Sequence, residues 1–306
     1  MERSDSHHSN LLRILTYHRV DSPATFAAQM HYLAQHYHVV SMAEVLAVYQ
    51  RGAILPPRSV LITFDDAYCD FAEQAWPVLK QYSLPVTLFV PTAFPDQPAR
   101  LFWWDRLQAA LQGTTQCTQL DTPIGQLPLT NPAQRTQAYK RLREYVKSLP
   151  HAQAMTWVGE CCQRLGTPAP SNDILSWSAL RQLAQEGVTL GAHTQTHPLM
   201  NRISPEAMYA EAVGSLRDIE DKIGTASPVF AYPSGGFNRA AVAVLERAGF
   251  KLAFTTVRGM NVLPAAAPLL LRRTNVGGRT TLPLLRAQLL SQSRLLNRYW
   301  PIPLSG

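Results

Sequence analysis

No run of about 18 consecutive apolar residues occurs in this 306-residue chain, so no membrane-spanning helix is expected. Met1 to Asn10 are polar and lack the apolar centre of a secretory signal, which leads to the expectation of a flexible N-terminus over 1–10 and a cytoplasmic location. Cysteine is scarce. Cys69, Cys117, Cys161 and Cys162 show no CxxC spacing, and the vicinal pair cannot easily bridge to itself, so free thiols are expected rather than a zinc knuckle or a disulfide framework. No internal repeat is visible. Two local absences bear on chemistry: no histidine follows His197, and no acidic residue follows Glu246.

What is present suits a packed domain. Hydrophobic residues make up 46% of the chain, an ordinary share for a globular core. The net charge of +7 implies a basic surface, read here as a solvated face with no nucleic-acid partner. Leu11 to His18 reads as a first strand ending in a histidine, and Phe26 to His36 has helical spacing. Ser41-Met42-Ala43-Glu44 is a capping box for a helix that Gly52 closes. Ser59 to Phe64 is a buried strand, Phe71 to Tyr82 a helix with Pro77 as its weak point, and Val86 to Val90 another strand.

Alternation then breaks from Pro91 to Ala169 and resumes with a helix from Trp177 to Glu186 and a strand from Val188 into His193. Ser204-Pro205 opens a helix that Gly224 ends, Val229 to Tyr232 is a strand, Asn238 caps a helix to Ala248, and Leu252 to Thr256 and Leu269 to Thr274 read as the last strands. Six or seven strand–helix units imply a parallel sheet, most simply closed as a β/α barrel, with an open doubly wound sheet as the alternative. The barrel is expected over 11–280, with a mainly helical insertion at about 91–170 whose core holds Trp103 and Trp104. A basic helix and tail are expected over 281–306.

Chemistry concentrates at two places. The strand ending in Thr63-Phe64-Asp65-Asp66 sets two carboxylates side by side, a costly arrangement unless a cation sits there. Successive residues at a strand end point in opposite directions, so one is expected to bind a metal while the other stays free to move protons. His193-Thr194-Gln195-Thr196-His197 places two imidazoles four residues apart, which on a helical turn would bring both to one ion. Two histidines and a carboxylate with open positions make a catalytic metal site rather than a structural one.

Thr63-Phe64-Asp65-Asp66, then His193 to His197, then Tyr232-Pro233-Ser234-Gly235 resemble, in order and wording, the motifs of the polysaccharide deacetylase family, carbohydrate esterase family 4 with its NodB homology domain. The resemblance spans roughly Leu12 to Val276. It implies a distorted (β/α)7 barrel of the NodB type, α/β in class, with Asp65 as general base and Asp66, His193 and His197 holding a divalent metal, most often zinc in the family.

Three positions depart from the pattern. Ala67 stands where a glycine is usual. Ala231-Tyr232-Pro233 stands where the family has Arg-x-Pro, so Arg273 at the last strand's end is the candidate to orient the base. The late histidine that supplies the acid is missing, and His18 is the candidate replacement, because a closed barrel sets its first and last strands side by side. The Tyr17-His18 start is similar to family members that modify exopolysaccharides. Tyr68, Tyr232, Pro233 and Gly235 are expected to contact substrate.

The function implied is hydrolysis of N-acetyl groups on hexosamine units of a polysaccharide or glycan precursor, in exopolysaccharide biosynthesis. The alternatives are an O-acetyl esterase and a non-catalytic carbohydrate-binding barrel. Nucleobase deamination does not fit, since H-x-E and P-C-x-x-C are both missing. Leu282 to Tyr299 spaces leucines among arginines and is read either as a helix packed on the barrel or as a peripheral contact with an anionic inner-membrane face.

Overall fold

Strands buried along their whole length need cover on both faces, which favours a parallel sheet wrapped in helices. Strand β1 (Leu11–Tyr17) is of this kind and leads to α1 (Pro23–His36), whose first turn is capped by the Ser22 hydroxyl. The computed structural model describes residues 10–290. A short β2 (His38–Val39) precedes α2 (Met42–Arg51), which has the expected Ser41–Glu44 capping box and ends on Gly52 at φ 66°. The fully buried β3 (Ser59–Phe64) follows.

The segment expected as one helix from Phe71 is wound in two ways. Phe71–Ala75 forms a wider π turn, and α3 (Trp76–Gln81) begins beside Pro77. Proline has no N–H to give and crowds the carbonyl four residues back, and the wider turn relieves that clash. After β4 (Val86–Val90) the chain enters a compact unit of its own, Gln97–Asp173.

That unit contains α4 (Trp103–Gly113), the hairpin β5 (Gln119–Thr122) and β6 (Gly125–Pro128), α5 (Pro132–Ser148) and α6 (His151–Leu165). The hairpin was not expected from its Gln/Thr/Pro-rich sequence. It contributes Leu120 and Leu127 to a core built around Trp103, Leu107, Leu142 and Leu165. Trp104 lies against this core, stacked on Phe102 with ring centres 4.3 Å apart.

The first unit resumes with α7 (Trp177–Gln185), β7 (Thr189–Ala192), α8 (Pro205–Ile223), β8 (Val229–Ala231), α9 (Arg239–Arg247) and β9 (Leu252–Phe254). Two short pieces complete the sheet, β10 (Asn261–Val262), antiparallel to β1, and β11 (Thr274–Asn275), parallel to it. The parallel order is β1-β3-β4-β7-β8-β9. Leu271 bridges β9 through Phe254, while Thr274 and Asn275 pair with Leu15 and Thr16. The stretch expected as one strand from Leu269 to Thr274 is therefore a 3-10 turn, Pro268–Leu270, followed by a crossing segment that joins the two edges of a strongly curled sheet. Together these features make the fold a distorted β/α barrel with seven parallel positions.

Helix α10 (Leu282–Leu289) buries Leu285 and Leu289, and Arg13 Nε donates to the Leu289 carbonyl at 2.7 Å. The rest of the expected basic segment, 291–306, lies outside the described residues, as do 1–9. Among the described residues, no helix is long and apolar enough to cross a membrane, and the four cysteines are free.

Gly191 in β7 shows how tightly the barrel interior is filled. A Cβ there would lie 2.6 Å from the Phe89 ring and 3.0 Å from Val229 Cγ2. Gly191→Ala is expected to lower stability by about 1–3 kcal/mol through overpacking, read as a lower midpoint in urea; an unchanged midpoint would show that Phe89 has room to move.

Candidate active site

The strand ladder carries Asp65 before the chain turns away. Its N–H donates to the Tyr17 carbonyl at 2.9 Å, so its backbone still belongs to the β1–β3 pairing. Asp66 and Ala67 then take left-handed conformations, φ 75° and 56°, and the Ala67 carbonyl accepts the Leu175 N–H at 2.9 Å. This change of hand, added to strand alternation, sends the two adjacent carboxylates to different partners. It also explains why glycine suits position 67: alanine there bears a steric cost of about 1 kcal/mol.

Asp65 is 2% exposed and faces Arg273, which is fully buried. Arg273 Nη1 donates to Oδ1 at 2.8 Å and Nη2 to Oδ2 at 2.7 Å, while Nε donates to the Thr255 carbonyl at 2.9 Å. A fork held at both ends in this way fixes the plane of the carboxylate. His18 lies on the same carboxylate's open side, with Nε2 3.9 Å from Oδ2 and its side chain 40% exposed. Burial pushes Asp65 up, but Arg273, His193 and His18 outweigh it and hold the carboxyl below its ordinary value.

Asp66 meets the two histidines. Its Oδ1 is 3.4 Å from His193 Nε2 and 3.3 Å from His197 Nε2, and no hydrogen bond reaches this buried oxygen. Burial raises the Asp66 carboxyl, yet the imidazoles draw it well below the usual range. Burial also pushes both imidazoles toward their neutral forms. It prevails in His197, while Asp66 and Asp65 outweigh it in His193.

A metal fits this cluster on the chemistry of its donors. His193 Nδ1 lies 2.7 Å from the Ala231 carbonyl, which can only accept, so Nδ1 carries a proton, and in the neutral form that a metal ligand must take, the lone pair of Nε2 turns toward Asp66. Acceptor then faces acceptor, an arrangement that a cation resolves. The three ligand atoms lie within 4.8 Å of one another, and the spacing to Asp66 Oδ1 is close to the ~3.4 Å that separates ligands about a tetrahedral zinc.

The histidine loop is not the helical turn expected from its spacing. Thr194 and His197 have φ 63° and 60°, and the Thr194 hydroxyl accepts the His197 N–H at 3.0 Å. The rings nevertheless converge, with centres 4.8 Å apart. The loop is paired to the end of β4, since Thr92 and Ala93 donate to the carbonyls of Thr194 and Gln195 at 3.1 and 3.0 Å.

Residues 52–253 match the family model described as polysaccharide deacetylase. The chain belongs to the polysaccharide deacetylase family. Asp66, His193 and His197 form its buried candidate metal triad. YxkH of Bacillus subtilis (strain 168), assigned as a polysaccharide deacetylase, is 21% identical over 256 residues, a match that takes in 81% of this chain and 65% of that relative's length.

Solved structures that share the fold of this chain include two bacterial deacetylases. The deacetylase PplD of Streptococcus pyogenes, in complex with acetate, aligns with TM-score 0.61 and 20% identity over 92% of this chain and 98% of its own. A de-N-acetylase of Aggregatibacter actinomycetemcomitans aligns with TM-score 0.62 and 15% identity over 91% and 99%.

The residues expected to touch substrate divide. Tyr232 is a correction: it is fully buried, its hydroxyl donates to the Leu269 carbonyl at 3.1 Å, and its ring packs against Phe230 and Phe237. Pro233 is buried beside it, and the turn exposes Ser234 instead, at φ 49°. Gly235 has φ 68°, and a Cβ there would run into the Thr256 hydroxyl, so glycine is needed for the turn to sit against the end of β9. Tyr68 is 4% exposed beneath Arg19, whose guanidinium lies 3.5 Å from the ring centre.

Sequence reasoning missed Glu211 and Asp218 on α8, which accept hydrogen bonds from the histidine loop. Their only signal was a shared helical stripe with Gly214 between them.

Arg273→Met would leave Asp65 buried without its cation, at a cost of about 3–5 kcal/mol. In the wild type a depressed Asp65 contributes stability above its unfolded value, lost as pH falls; in the variant burial raises Asp65, which reverses that slope. The stability gap between the two is therefore expected to be widest at pH 7 and to shrink toward about pH 4, as read by urea denaturation. A gap that does not vary with pH would rule out Asp65 as the group affected.

Proposed function

We propose that this deacetylase removes N-acetyl groups from hexosamine units of a polysaccharide or glycan precursor, and that it acts in exopolysaccharide biosynthesis. The observation that carries the reading is one buried carboxylate, Asp65, gripped by Arg273 and approached by His18, next to a second carboxylate that converges with two imidazoles. Family membership supports an acetylated glycan as substrate. The shared fold with a de-N-acetylase favours the amide over the ester.

Asp66, His193 and His197 would hold a divalent ion, and two imidazoles with one carboxylate suit zinc. When bound, the ion supplies a Lewis acid that polarises the acetamide carbonyl and makes water a stronger acid. Every other step falls to the chain. Asp65, kept ionised by Arg273, accepts the proton as water attacks the carbonyl carbon. Arg273 occupies one lone pair on each Asp65 oxygen, so the remaining lone pairs point into the site. A backbone N–H near Ala67 or Tyr68 steadies the developing oxyanion. As the C–N bond breaks, His18 Nε2 gives its proton to the departing amine, and acetate and a free amine result. The half-exposed His18 can be reprotonated from solvent between turnovers.

Acetate and amine release from short acetylated glucosamine oligomers tests the reading. Asp65→Asn is expected to cut turnover by at least about a hundredfold with metal still bound, and His18→Ala by roughly a hundredfold to ten-thousandfold, also with metal retained. His193→Ala should lose metal and turnover together. Turnover retained in Asp65→Asn or His193→Ala would sink the scheme, and acetate release without a free amine would make the enzyme an esterase.

A further inference from the structure

Residues 194–196, between the two histidines, form neither helix nor strand. One face of α8 holds them. Glu211 Oε2 accepts the N–H groups of Gln195 and Thr196 at 2.7 and 2.9 Å, and Oε1 accepts the Thr196 hydroxyl at 2.5 Å. Two turns along the helix, Asp218 Oδ2 accepts the Gln195 side-chain amide at 2.8 Å and the Thr92 hydroxyl at 2.5 Å. Between them a Cβ on Gly214 would lie 2.5 Å from Gln195 Cδ, so the helix surface is hollow where the loop rests. Spacings of three and four residues put Glu211, Gly214 and Asp218 on a single stripe.

The loop needs such a hold. Thr194 and His197 are both left-handed, and each costs an L-residue roughly 1–2 kcal/mol. Consecutive N–H groups converging on one point form an anion-binding concavity, and here Glu211 fills it. If that anchor were lost, the backbone could relax toward ordinary dihedrals and carry His197 away from Asp66.

We propose that Glu211 is the positioning residue of the histidine loop, fixing its backbone so that His193 and His197 present Nε2 at ligand spacing, with Gly214 and Asp218 completing the cradle. This rests on the reading of Asp66, His193 and His197 as a metal site. Partners one shell out from a metal set its affinity, and their loss typically costs tenfold to a hundredfold.

The test measures zinc affinity by chelator competition, and the visible spectrum of the cobalt-substituted protein, for wild type, Glu211→Ala and Glu211→Gln, with melting of each metal-free protein alongside. Glu211→Ala is expected to bind about tenfold to a hundredfold more weakly and to show an altered cobalt spectrum. Glu211→Gln can offer its amide oxygen to both N–H groups and its amide N–H to the Thr196 hydroxyl, and should stay within about threefold of wild type. Should Glu211→Ala not fold, Glu211→Asp, one methylene short of the loop, carries the same comparison with an expected weakening. Unchanged affinity and spectrum in Glu211→Ala, or in Glu211→Asp where that variant stands in for it, would overturn the positioning role even if melting falls. Wild-type protein that binds neither ion would instead remove the metal reading itself.

Discussion

The site depends on one buried ion pair, Asp65 with Arg273. Neither side chain has meaningful contact with solvent, and the guanidinium is fixed by the Thr255 carbonyl as well as by both carboxylate oxygens. Such pairs add little net stability, because desolvation offsets most of the attraction, but they set orientation strongly. Arg273 reaches Asp65 from the segment that joins β9 to β1. The placement of the carboxylate is thus a consequence of barrel closure rather than of the β3 sequence alone. Among the described residues, no acidic group follows Glu246, so the closing segment of the barrel brings cation without competing anion to the carboxylates of β3.

Backbone strain is concentrated around that pair. Of the nine non-glycine residues with positive φ among those described, Asp66, Ala67, Thr194, His197 and Ser234 all lie in the loops after β3, β7 and β8. Each of these strands ends by turning its chain sharply, which lets short side chains converge on a small volume. The surroundings sustain the strain through specific bonds, from Leu175 to Ala67 and from His197 to Thr194, and through Glu211 under the histidine loop. Left-handed residues clustered in this way are what a preorganised site is expected to hold.

What could be read from the sequence was local. The Ser41–Glu44 box, the Ser204 cap and the Gly52 and Gly224 stops are chemistry within one turn, and they stand where spacing put them. The two aspartates and two histidines were legible as a pattern, and the structure brings Asp66, His193 and His197 together, although through a left-handed loop that spacing alone does not reveal. The β5–β6 hairpin was hidden because its apolar signal is only Leu120 and Leu127 within a polar stretch. Tyr232 is expected to contact substrate from its place in the Tyr232-Pro233-Ser234-Gly235 motif, but the ladder still holds its N–H to Phe254, and the ring stays in the core. Glu211 and Asp218 look like ordinary helix-surface acids until the fold lays a loop across them. β10 and β11 are too short to carry any periodicity, and they exist as strands only because β1 offers them an edge.

The proposed replacements for two of the three departures from the family's pattern, Arg273 and His18, share a common geometrical cause. Arg273 and His18 come from opposite ends of the chain, yet β1 pairs with β3 on one side and with β11 on the other. Both therefore reach the end of β3 from the seam where the curled sheet meets itself. A guanidinium entering from the closing segment is fully buried and serves as a fixed countercharge, whereas an imidazole at the rim of β1 stays 40% exposed and can exchange protons with water. In the proposed mechanism that difference in burial divides the work. The cation that must never lose its charge lies inside, and the group that must gain and lose a proton in each cycle lies at the edge. Exchanging their positions would bury the proposed acid and expose the permanent charge, so the proposed division of roles agrees with where the seam places each side chain.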